Sequence, residues 1–89
     1  MGEPPRRMIT GNQIRAALGL IDWDVPRLAR DSRVSESTIR RAMAASDVPR
    51  MRSDNLLRIQ RALESGGCMF LDPDDTRTGG EGVRLRRRT

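Results

Sequence analysis

Between Leu28 and Met43 the chain reads LARDSRVSESTIRRAM. Leu28 and Ala29 anchor one apolar stripe and Ile39 and Met43 the next, with only the polar SRVS between them. That spacing predicts two short helices joined by a tight turn. Ser35 is placed to cap the second, with Val34 ahead of it and Ile39 at the distance of a hydrophobic staple. Ile39, Ala42 and Met43 then face a core, which leaves Glu36, Ser37, Arg40 and Arg41 on the outer face.

The flanking sequence supplies the elements that cover these stripes. Thr10 with Gln13 forms a capping box, and Ile9 can staple to Ile14. Ile14, Ala17, Leu18 and Ile21 then make one helical stripe, and Asp22 tolerates the left-handed conformation of a helix stop. Asp24 caps the next helix, where Pro26 loses no hydrogen bond in the first turn. Ser53 is expected to cap a fourth helix through DNLLRIQRALES. Leu56, Ile59 and Leu63 line its face, Leu57 widens it, and Gly66 and Gly67 stop it.

Beyond Gly67 the period changes. CMFL, ended by Asp72-Pro73, and VRLRR, in which Val83 and Leu85 alternate with Arg84 and Arg86, predict antiparallel strands at 68–71 and 83–87. They pair with each other or with a second chain. The expected organisation is a disordered arm over 1–8, a helical domain over 9–66, and strands with a basic tail over 67–89. The class is mostly α, four helices with a short strand pair.

Composition narrows the function. With 89 residues the chain buries roughly 60–65% of its unfolded surface, too little for a deep catalytic cleft. All 17 basic residues are arginine. Residues 33–52 hold Arg33, Arg40, Arg41, Arg50 and Arg52 against Glu36 and Asp47, and residues 77–89 hold five arginines against Glu81. Both concentrations suit a polyanionic partner; the plain alternative is a solvated charged face.

No histidine stands beside a serine or cysteine to act as base, and the sequence has no histidine at all and one cysteine, Cys68. No disulfide, metal site or cofactor is therefore expected. Cys68 reads as a small buried hydrophobe. Asp72, Asp74 and Asp75 lack the spacing of a calcium loop and read as a capped turn. TGGEG lacks the lysine of a phosphate loop and reads as a flexible connection. No apolar run reaches the ~18 residues of a membrane span, and MGEPPRRMIT has no signal-peptide core. A cytoplasmic, non-catalytic protein is the expectation.

The run WDVPRLARDSRVSESTIRR resembles the Cro/cI-type (XRE) helix-turn-helix family, on Trp23, Leu28-Ala29, Val34-Ser35 and Thr38-Ile39. The later NLLRIQRALESGGCMFLD and GGEGVRLRR resemble a compact bacterial subgroup whose last helix runs into a strand pair. The likeness covers roughly residues 8 to 87. It implies a lambda-repressor-like domain, here acting as a transcriptional regulator, more often a repressor, that binds double-stranded DNA as a homodimer on a two-fold operator.

By that resemblance Glu36, Ser37 and Arg41, with Arg40 beside them, meet base edges. Arg41 pairs with guanine O6 and N7, and Glu36 accepts from cytosine N4. Ser35 and Thr38 hold phosphate at the helix N-terminus, with Arg50 and Arg52 as further phosphate contacts. The chain departs from the family at Val25, where glutamine is frequent, and at Arg33, where glycine is favoured; either the turn is reshaped there or Arg33 itself reaches a phosphate. The competing class is a protein-interaction module of the same shape, an antiactivator or antitoxin. RNA binding by the tail is disfavoured by the shortage of aromatics to stack bases.

Overall fold

In the computed structural model, which describes residues 8–73 and 79–86, Thr10 opens α1 (Gly11–Ile21). Its hydroxyl accepts from the Gln13 N–H at 3.1 Å while Gln13 Oε1 accepts from the Thr10 N–H at 2.9 Å, completing the box. Asp22 ends the helix at φ 57° and ψ 37°, as expected of an aspartate stop. Asp24 Oδ1 accepts from the Arg27 N–H at 2.9 Å and starts α2 (Val25–Ser32).

Arg33 closes α2 in the left-handed region, φ 63°, with its N–H donating to Ala29 O. Val34 is buried directly after it. Ser35 Oγ accepts from the Thr38 N–H at 3.2 Å and caps α3 (Glu36–Ala44). These starts and stops are local chemistry, set by partners within three or four residues.

The fourth helix, α4 (Ser53–Ser65), corrects the sequence reading. Arg52 holds the cap position in extended conformation without a side-chain cap bond, and Ser53 is the first helical residue. The first turn instead carries Asp54, whose carboxylate suits the positive end of a helix dipole. Asp54 Oδ1 also accepts from the Asn55 N–H at 2.9 Å. Leu57 is a second correction. It is 36% exposed, so it does not widen the buried face.

The core lies where the four helices meet. Ile14, Leu28, Ile39, Leu56, Ile59 and Leu63 are the large side chains fully buried there, together with Cys68 from the strands. Each such aliphatic side chain contributes about 1.5–3 kcal/mol of transfer free energy. Met8, Ala29 and Met43 pack against this core half-buried. Met8 is therefore not part of a free arm; residues 1–7 lie outside the described residues.

Strands β1 (Cys68–Leu71) and β2 (Gly82–Leu85) pair antiparallel with each other, Cys68 opposite Leu85 and Phe70 opposite Val83. The second strand begins one residue before the predicted 83 and ends before 87. Just beyond the strand Arg86 keeps the same register, its N–H donating to Gly67 O at 2.7 Å. Its guanidinium donates to Glu64 O at 2.6 Å, at the C-terminus of α4. Residues 87–89, and Asp74 and Asp75 of the expected capped turn, lie outside the described residues. Among the described residues no helix is long and apolar enough to cross a membrane.

Candidate nucleic-acid interface

Helix α3 is held from below and open above. Ile39 is fully buried and Ala42 is 2% exposed, so one stripe fixes the helix on the core. Ser35, Glu36, Ser37, Arg40 and Arg41 are exposed on the other side, and Thr38 is half-buried between the two. A helix anchored this way presents its N-terminal residues without freedom to roll.

The three hydroxyls at its start form a cluster. Ser35 Oγ donates to Thr38 Oγ1 at 2.8 Å and stands 3.4 Å from Ser37 Oγ. With the amides of Glu36 and Ser37 at the start of the helix, this cluster is suited to an anionic oxygen.

The arginines divide into two groups. Arg40 Nη1 lies 3.2 Å from Glu36 Oε1, an exposed i,i+4 pair. Arg52 grips Asp54 with two bonds, Nε to Oδ1 and Nη2 to Oδ2, each 3.1 Å. Exposed pairs of this kind contribute about 0–1 kcal/mol and exchange readily for a stronger anion. Among the described residues Arg33, Arg41 and Arg50 have no ion pair; all three are exposed. Arg58, Arg61 and Arg84 are likewise exposed without an ion pair among the described residues, but lie on α4 and β2 rather than beside α3.

Arg41 and Arg50 also border one cavity of about 270 Å³, with Thr38, Ala42, Ala45, Pro49 and Met51. It lies between the C-terminal half of α3 and the segment leading to α4. Sequence reasoning placed Arg41 and Arg50 apart, one on a helix and one in an irregular stretch. The signal for bringing them together is Pro49, which is buried and turns the chain back against α3.

Two basic residues have structural roles the sequence did not announce. Arg15 donates to Met43 O near the end of α3 and to Asn12 Oδ1. Arg86 does the same for α4 through Glu64 O. Cations at helix C-termini satisfy carbonyls that lack an intrahelical partner. Arg86, one of the five arginines of the basic tail, is occupied with the protein itself.

Val25, at the position where the resembled family often has glutamine, packs half-buried against the core. Arg27 lies over the Trp23 ring, 4.4 Å from its centroid, and pairs with Asp31 at 3.6 Å. The outer surface of α2 is thus largely self-compensated. No family model, curated protein or solved structure matches this chain.

Proposed function

We propose that the chain is a sequence-specific DNA-binding regulator of the helix-turn-helix class, in which α2 crosses the backbone and α3 enters the major groove. That groove is about 12 Å wide and admits one helix. The observation that carries the reading is the exposed polar face of α3, from Ser35 to Arg41, on a helix fixed to the core by Ile39 and Ala42. The left-handed Arg33 supports it, because it makes the sharp break between α2 and α3 that a lambda-repressor-like domain needs.

In this reading Arg41 reads a guanine, Ser37 and Glu36 face neighbouring bases, and Arg40 is released from Glu36 as the helix docks. Ser35, Thr38, Arg33, Arg50 and Arg52 hold phosphates, Arg52 giving up Asp54. The protein is a cytoplasmic repressor without catalysis, and a two-fold homodimer sets its recognition helices about 34 Å apart.

Titrating duplex DNA at several salt concentrations tests it. Neutralising about five phosphates gives a log–log slope near −4 to −5. A slope near zero would exclude the reading. The second reading, a protein-docking module such as an antiactivator or antitoxin, is favoured by Val25 being a packing residue and by Arg40 and Arg52 already having carboxylate partners.

A further inference from the structure

The cavity beside Arg41 has a composition that DNA alone does not account for. Its apolar lining is Ala42, Ala45, Pro49 and Met51, and among the described residues no carboxylate lines it. At about 270 Å³ it lies just below the size range of drug-sized ligand sites and suits a compact ligand. Arg41 and Arg50 stand at its border with no ion pair among the described residues. A phosphate would engage those two side chains and gain nothing from the apolar lining.

We propose that this cavity binds a small amphiphilic organic anion, a carboxylate carried on a compact apolar body. The carboxylate meets the guanidinium of Arg50, whose planar fork matches its two oxygens, with the positive charge of Arg41 beside it. The apolar body lies on Ala42, Ala45 and Pro49, and the unbranched Met51 adapts to its outline. Thr38 Oγ1 already accepts from Ser35, so its own hydroxyl hydrogen is left to donate toward the ligand.

Because Arg41 belongs to both surfaces, the ligand and DNA compete, and the ligand releases the protein from its site. The competition rests on the DNA-binding reading; the anion site does not. By linkage the ligand weakens DNA binding by the factor that DNA weakens ligand binding.

The test is titration of the isotope-labelled full chain with 2-naphthoate, with 2-naphthalenemethanol as the uncharged control. The expected result is saturable shifts confined to amides 38–51, with the alcohol and the Arg50→Gln variant each weaker by about tenfold or more. Ala45→Leu, which fills the cavity, abolishes binding while its spectrum stays folded. Dispersed or non-saturating shifts, or equal affinity for the alcohol, overturn the proposal. So does full binding by Arg50→Gln.

A second arm adds saturating naphthoate to the protein on duplex DNA. Loss of DNA affinity in the wild type and none in Ala45→Leu is expected; unchanged affinity in the wild type overturns the competition. A chain that binds naphthoate at this site but no DNA keeps the site and loses the DNA reading. A chain that binds DNA but not naphthoate loses the present inference alone.

Discussion

Gly11 and Ala45 stand backbone to backbone: a Cβ built on Gly11 would fall 1.8 Å from the Ala45 carbonyl oxygen and 2.5 Å from that of Ala42. The Gly11 N–H donates to Asp47 O at 3.1 Å in the same junction. The start of α1 therefore seats the end of α3, and with it the segment that carries Pro49 and Arg50. Gly11→Ala is expected to lose about 3 kcal/mol, the upper range for overpacking against atoms that cannot rotate away.

Gly19 is the control, since nothing lies within 4 Å of a Cβ added there. It is exposed inside α1, so Gly19→Ala should gain up to about 1 kcal/mol of helix propensity. Urea unfolding midpoints of the two variants should move in opposite directions. Equal shifts would mean that the junction is looser than described.

Gln13 joins the first helix to the sheet. Its Nε2 donates to Gly82 O at 2.8 Å and Leu71 O at 3.3 Å, while its Oε1 receives the Thr10 N–H. Gln13→Glu retains an acceptor for Thr10 and removes the donor, setting a carboxylate against two carbonyls in a nearly buried position. About 1–3 kcal/mol should be lost, and amide exchange in 82–85 should accelerate before exchange in α4. Unchanged exchange there would show that the sheet does not depend on this side chain.

Cys68 is 1% exposed, and its Sγ lies 3.8 Å from Ala17 O. Burial, and secondarily the Glu64 carboxylate, push its thiol pKa up, so less of the reactive thiolate is present at neutral pH. Because the folded pKa is raised, folding holds the proton on. The contribution is fully present below the unfolded pKa and is lost as pH rises through the folded one. Labelling by a maleimide should be slow in the native protein and rapid in denaturant. Equal rates would place Cys68 at the surface.

The strands and α4 are the candidate contact for the proposed homodimer. Truncation after Ser65 would be an ambiguous test, because it removes Cys68 and Phe70 from the core. Leu85 is 51% exposed and contributes little to the monomer. Leu85→Asp should give a folded monomer by sedimentation if β2 lies in the contact. A variant as dimeric as the wild type would move the contact elsewhere.

What could be read from the sequence follows the range of each interaction. The caps at Thr10, Asp24 and Ser35 and the left-handed stop at Asp22 involve partners within three or four residues, and all were readable. The outer face of α3 was readable from helical period alone. The contacts of Gln13 with Leu71 and Gly82 cross 58 and 69 residues and leave no local trace. The contact of the Arg86 guanidinium with Glu64 O crosses 22 residues and leaves no local trace either. The pairing of Arg40 with Glu36 did have a signal, their i,i+4 spacing. Ser53 failed as a cap because Arg52 holds the cap position, paired with Asp54 and without a cap bond.

The most direct measurement is selection from a pool of randomised duplex DNA at near-physiological salt, with the wild type and Arg41→Ala side by side. The account predicts a two-fold repeated sequence for the wild type and lost preference at one base pair per half-site for the variant, each lost contact being worth about 1–3 kcal/mol. Recovery of no enriched sequence by either protein would contradict it.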